Sequence, residues 1–331
     1  MSGATAQSAA GPGSARAGSR ALSLFARTLS ADVLRAHEEG ALSPGALRER
    51  LGWAAPASLR AATADLRRHG ALARGAEHGT ATELTAAGRG LLTVADGVER
   101  WLSSSAFGAL RLSDAAARGV VRALVAGWDS TMVHALAERP RTLAELSAEI
   151  QPYSYPALKR RLGQLRTAGL AARVGGDERS PAFGATAALH RAAESLALAG
   201  RWELDFPDGS GRPTSRDLEA ILMLGLPLAA APPGVSDSCV LAVSRAIESP
   251  SEGQAESAAI RLVLDLGGAN ADEAGGRMAP EARLAGSPEV WLTALTRGPQ
   301  TGLRLRGVSA GLAQGILGGL CRGMRGEAQP G

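Results

Sequence analysis

Apolar positions in the first two hundred residues recur at helical spacing, stop at turn residues, and then repeat the same pattern. Residues 31–74 (ADVLRAHEEGALSPGALRERLGWAAPASLRAATADLRRHGALAR) can be laid without a gap on residues 130–173 (STMVHALAERPRTLAELSAEIQPYSYPALKRRLGQLRTAGLAAR), at an offset of 99. Leu34 falls on Val133, Leu47 on Leu146, Leu51 on Ile150, Leu59 on Leu158 and Leu66 on Leu165. Gly70 falls on Gly169 and Arg74 on Arg173, and a tryptophan follows each copy, Trp101 and Trp202. A repeat of this length means one structural unit used twice.

Each copy predicts the same elements. A helix comes first, around 21–38 and 115–137. A short second helix follows an N-cap, Ser43 or Thr142, and Glu145 completes a capping box with Thr142. A turn leads to a third helix, about 56–69 and 155–168, with Pro56 and Pro156 in its first turn, where the missing N–H has no helical partner. Gly70 and Gly169 end it. A short strand, a turn (GAEHGT or GGDERS) and a returning strand form a hairpin, and a closing helix (86–103 and 187–203) ends near the tryptophan. Helix–turn–helix plus hairpin is the winged-helix arrangement. The expected fold class is therefore mainly α with small β wings, two tandem winged helix-turn-helix domains followed by an α+β domain.

Charge follows the same division. Residues 1–216 hold 27 basic and 20 acidic residues, and residues 217–331 hold 9 and 12, so only the front two-thirds suits a polyanion. In copy one Arg60, Arg67, Arg68 and Arg74 face a single acid, Asp65. In copy two Lys159, Arg160, Arg161, Arg166 and Arg173 meet no acid between Ala157 and Arg173. A helix that reads a major groove needs basic groups for phosphates and polar groups for base edges. Ser58, Thr63, Ser154, Tyr155 and Gln164 are the polar candidates. The expected partner is double-stranded DNA, and the expected role is transcription regulation. The alternative is a scaffold whose winged helices pair with protein, a use that does not need two basic third helices. An ordinary solvated helix face is the bland account of the same arginines.

The stretches AGWDSTMVHALAERPRTLAEL and SYPALKRRLGQLRTAGL, with TELTAAGRGLL leading to Trp101, resemble HxlR-type winged-helix regulators of bacteria over roughly residues 20–203, twice over. The resemblance implies groove reading by both copies. The cysteine near the start of many such regulators is absent from both, so it does not imply thiol sensing.

Residues 1–19 are small, polar and Gly-rich and read as a disordered tail. The expected domains are 20–104, 112–204 and 217–325, with a Gly-, Pro- and Ser-rich linker at 205–216. In the last third, strand candidates lie at 239–243, 260–266 and about 282–285. GSPEVWLTALTRG reads as a helix, LRLRGV as a strand and 310–322 as a final amphipathic helix. That closing order resembles the tail of sterol-carrier-type domains, which implies an apolar small-molecule effector or a homodimer contact.

Three other patterns fall short of a catalytic or metal site. Gly307 to Gly311 (GVSAG) matches a nucleophile elbow, but no histidine follows His190 to serve as base. LVLDLGGAN resembles the glycine loop of methyltransferases that use S-adenosylmethionine, yet only 61 residues follow Asn270, too few to finish a doubly wound sheet. His37, His69, His78, His134 and His190 do not fall at metal-ligand spacing. No enzyme, cofactor or metal is expected. No apolar run of ~18 residues is present, so no membrane partner is expected, and two cysteines with no leader pattern fit a reducing cytoplasm.

Overall fold

Two glycines with the same backbone angle mark the repeat in the computed structural model: Gly70 and Gly169 both have φ +70°, the left-handed turn that closes a helix. The structure describes residues 18–75, 80–150, 153–208, 212–229, 238–243, 260–265, 282–298, 302–306 and 310–326. The chain is mainly helical with small sheets.

The first unit runs α1 (Ser19–Phe25), α2 (Ser30–Ala36), α3 (Pro44–Arg50), α4 (Pro56–Arg68), the hairpin β1 (Leu72–Arg74) and β2 (Thr82–Leu84), and α5 (Ala86–Ser104). The second runs α6 (Ala115–Gly127), α7 (Ser130–Glu138), β3 (Arg141–Thr142), α8 (Leu143–Glu149), α9 (Tyr155–Thr167), β4 (Ala171–Gly176), β5 (Pro181–Ala185), α10 (Ala187–Arg191) and α11 (Ala193–Asp205). The caps are those the sequence predicts. Ser43 accepts from the Ala46 N–H, and Thr142 and Glu145 form a full capping box. Pro56 and Pro156 lie in the first turns of α4 and α9. Both closing helices open on a threonine, Thr85 or Thr186, whose side chain also donates back to the carbonyl of the glycine that ended the third helix.

Three details differ from the expected order. Each leading helix is broken in two. In the first unit the break is at Leu29, whose φ of 71° ends helical geometry, and Arg122 donates to the freed Ala26 carbonyl at 2.9 Å. In the second, Trp128 and Asp129 are extended, Asp129 caps α7, and Arg161 donates to the Trp128 carbonyl at 2.7 Å. The second closing helix is also interrupted, at Ala192. Each hairpin moreover gains a third partner: Leu42 bridges Thr82, and β3 pairs with β5 at the equivalent place.

Beyond the second unit come α12 (Ser215–Gly225) with a short 3₁₀ turn at Leu226–Leu228, β6 (Ser238–Val243), β7 (Ile260–Asp265), β8 (Ala282–Gly286), α13 (Pro288–Arg297), β9 (Arg304–Arg306) and α14 (Ala310–Arg325). The strand–helix–strand–helix ending matches the sequence expectation. The strands form one sheet in the order β7-β6-β8-β9, with β6 and β8 parallel and the outer pairs antiparallel. This last section is docked on the repeat. α12 packs on α7, α13 on α11, the Ser130 hydroxyl donates to Asp217, and a single buried cluster runs from Ala21 to Met324. Residues 307–309 of the sequence GVSAG, residues 266–270 and His78 lie outside the described residues. No helix among the described residues is long and apolar enough to cross a membrane.

Candidate nucleic-acid interface

Helical register decides which basic residues of the third helices reach solvent. Leu59, Ala62 and Leu66 turn inward on α4, and their equivalents Leu158 and Leu165 do so on α9. Positions 60, 63, 64 and 67 then share the opposite side, one helical stripe at i, i+3, i+4 and i+7. In the first unit that stripe lines a groove of about 330 Å³ with Pro44 and Arg48 of α3 and Thr80 and Thr82 at the returning strand.

The second unit builds the same groove. Lys159, Leu162, Gly163 and Arg166 of α9 line about 320 Å³ with Leu143 and Ala144 of α8 and Arg179, Ser180, Pro181 and Phe183 of the hairpin. Subtracting the repeat offset of 99 from these α9 positions returns 60, 63, 64 and 67. Each groove thus carries a cation pair two turns apart on its helix, Arg60 with Arg67 or Lys159 with Arg166, plus one from outside it, Arg48 or Arg179.

The sequence-predicted residues divide by what else they touch. Ser58, Arg60, Arg67 and Arg74 are exposed, and Thr63 is half-buried at the groove wall. Arg68 is exposed but points the other way, holding the buried carboxylate of Asp65 at 2.6 Å beside Arg27, which pairs with the same group. On α9, Lys159, Arg160 and Gln164 are exposed. Arg60, Arg67, Lys159 and Arg160 have no ion pair among the described residues. Ser154 is exposed at the N-cap of α9 with no side-chain capping bond, and Tyr155 beside it is 50% exposed. The Arg166 guanidinium lies over the Phe183 ring, 4.7 Å from its centroid, and both residues line the groove. Arg173 is exposed and donates to the Asp177 carbonyl at 2.9 Å, stiffening the hairpin turn.

Arg161 belongs to a different place. It is equivalent to Ala62, which is buried, so its side chain runs inward, lies over Tyr153 at 4.8 Å and caps the broken end of α6 at Trp128. These contacts tie α9 to the end of α6, an inward course that the repeat alignment with Ala62 already indicated.

Arg48, Arg179 and Trp53 stand outside the basic pattern of the third helices. Arg48 and Arg179 enter the grooves from α3 and from the second hairpin. Trp53, in the turn before α4, is 66% exposed, whereas the other four tryptophans are buried. An arginine one turn along α3 and a tryptophan among alanines were visible, but only the packing shows which side they face. His69 is half-buried at the end of α4 near Asp65, and burial pushes its imidazole below the ordinary histidine value. His37 is held between the Val33 carbonyl and the Thr82 hydroxyl, with its pKa also lowered by burial, and ties the end of α2 to the hairpin.

No protein-family model, no curated protein and no solved structure matches this chain. The geometry of the two grooves is therefore the basis for assigning a function.

Proposed function

We propose that the protein binds double-stranded DNA as a transcription regulator, with its two repeated units acting as tandem winged helices of the HxlR type. The observation that carries this reading is the pair of equivalent grooves, each walled by a third helix and a hairpin and lined with arginine or lysine. A recognition helix inserts such a stripe into a major groove about 12 Å wide, while the hairpin lies along the flanking backbone. Arg60, Arg67, Lys159, Arg160 and Arg166 contact phosphates. In this reading Thr63 and Tyr155, which line the grooves, and Ser58 and Gln164, exposed on the same helices, meet base edges or sugars. Regulation places the protein in the cytoplasm, and an apolar small molecule in the last third is the effector this reading adds.

The rival reading, a scaffold pairing with protein, draws on one observation: Tyr155 at the second groove and Trp53 in the turn before α4 are exposed aromatics, the type of anchor that protein interfaces use. Salt separates the two. Each phosphate contact releases condensed counterions, so DNA affinity falls by about one power of the salt concentration per contact. The test is a salt titration of binding to short random-sequence duplex DNA, with wild type beside Lys159→Ala/Arg160→Ala. The proposal predicts binding that weakens steeply from about 50 to 200 mM salt and a shallower slope in the variant. Folded protein that does not bind at low salt would reject it in favour of the scaffold.

A further inference from the structure

We infer that one chain recognises an inverted repeat made of two unlike half-sites, because the two reading faces are related by an internal two-fold axis between α5 and α11. The inference rests on the DNA reading above.

The closing helices carry the evidence. There the repeat offset is 101, since Thr85 and Thr186, Ala87 and Ala188, and Trp101 and Trp202 correspond. The Trp101 indole N–H donates to the Ala188 carbonyl at 2.7 Å. The Trp202 indole N–H donates to the Ala87 carbonyl at 2.8 Å. Equivalent donors thus bond equivalent acceptors, each across to the other unit. Only a two-fold rotation returns a contact in this way. If the units followed one another by translation, as a direct repeat of DNA requires, Trp202 would reach forward and not back to the first unit.

A second observation places the axis. Gly97 and Leu198 are equivalent at the offset of 101, and a Cβ on Gly97 would stand 2.5 Å from the Leu198 side chain. Equivalent residues that meet one another lie beside the axis itself. The pair is also unlike in size, a small residue receiving a large one. Two first units would leave a void there and two second units would overlap, so the interface favours one unit of each kind. The second copy that a homodimeric regulator recruits is here supplied within the chain.

Duplex DNA has two-fold axes perpendicular to its own, so a two-fold protein reads half-sites in inverted orientation, centred ~34–36 Å apart or a multiple of that. The reading stripes differ. Where α4 presents Ser58, Arg60 and Ala61, α9 presents Ala157, Lys159 and Arg160. The two halves of the site therefore differ in sequence.

The experiment is selection from a random duplex library with the full chain, followed by the stoichiometry on the enriched site. The expected result is two unlike halves in inverted orientation, covered by one chain. Ser58→Ala/Arg60→Lys/Ala61→Arg, which copies the second face onto the first, should move the selected site toward a perfect palindrome. A direct repeat, a single half-site, two chains per site, or salt-sensitive binding with no enriched sequence would each overturn the inference while leaving DNA binding intact. Absence of all binding would overturn it together with the function it rests on. The axis has its own test without DNA. Gly97→Leu should lower Tm by about 5 °C through overpacking, and Gly97→Leu/Leu198→Gly should recover most of that loss. A double variant less stable than the single one would show that the two positions do not face each other across a two-fold.

Discussion

The two units share a scaffold and differ in what they leave available on its surface. On α4 a buried acid, Asp65, draws Arg68 and Arg27 to itself, so the exposed basic stripe reduces to Arg60 and Arg67. On α9 the equivalent position is Gln164, no acid competes, and Lys159 and Arg160 stay exposed beside Arg166. Counting arginines along a helix therefore overstates what a groove-reading face offers, since a cation near a buried carboxylate is committed to the fold. The second unit has its own commitment, Arg161, because a broken helix needed a donor at Trp128. The units differ again where they meet. Glu203 of α11 reaches across to accept the backbone N–H groups of Gly18 and Arg20, both at 2.7 Å, and of Ala21 at 3.2 Å, whereas the equivalent position in α5 is the fully buried Leu102.

That unreciprocated tie yields the largest expected effect. Burial raises the Glu203 carboxyl to about 7, against the pull of three backbone donors and Arg20. The folded state thus holds a proton that the unfolded chain releases near 4.5. Its contribution is complete below pH 4.5 and is lost as pH rises through about 7, a change of at most about 3 kcal/mol. The histidines His37, His69, His134 and His190 act oppositely, because burial lowers their pKa values and acid destabilises the fold through them. Following Tm from pH 5 to 8 for wild type and Glu203→Gln isolates the carboxyl. Stability relative to the variant should fall as pH rises, and a constant difference would remove Glu203 from the account.

The symmetric part of the interface predicts equality. Trp101→Phe and Trp202→Phe each remove one buried indole donor and its hydrogen bond across the units, and each should cost about 1–2 kcal/mol in chemical denaturation. A cost confined to one of them would mean that the reciprocal bonds are not equivalent in strength.

How much of this was legible beforehand follows from what sequence encodes locally. Ser43, Thr142 with Glu145, Pro56, Pro156, Gly70 and Gly169 act on their own backbone, so the helices they bound were readable in advance. The break at Leu29 was not, because leucine carries no local preference for a left-handed conformation and the turn is imposed by packing. The tryptophans stood out as a repeated pair, yet their partners lie 87 and 115 positions away along the chain. The grooves were half legible: the basic helix positions were visible, while Arg48, Arg179 and Trp53 depended on the side each element presents. The inward course of Arg161 was legible by aligning it with Ala62, an apolar position in a helical pattern.

A smaller effect should sharpen the contrast between the units. Asp65→Gln installs the residue of the second unit and releases Arg68, so the salt dependence of DNA binding should steepen by about one unit of slope, with affinity rising a few-fold at low salt. An unchanged slope would place Arg68 away from phosphate even when free. The smallest signal is spectroscopic. Because Trp53 is the exposed tryptophan of the five, iodide should quench it selectively, and bound DNA should shield it. Quenching that DNA leaves unaltered would put the turn before α4 outside the interface.

The central claim is that two equivalent basic grooves bind one duplex together. It is tested most directly by the salt slope of four proteins on the same DNA: wild type, Arg60→Ala/Arg67→Ala, Lys159→Ala/Arg166→Ala, and all four substitutions combined. Two grooves acting together predict that each double variant lowers the slope by about two, and that the quadruple variant lowers it by the sum. If either double variant kept the wild-type slope, or the quadruple variant lost no more than one of the doubles, only one groove would be touching DNA.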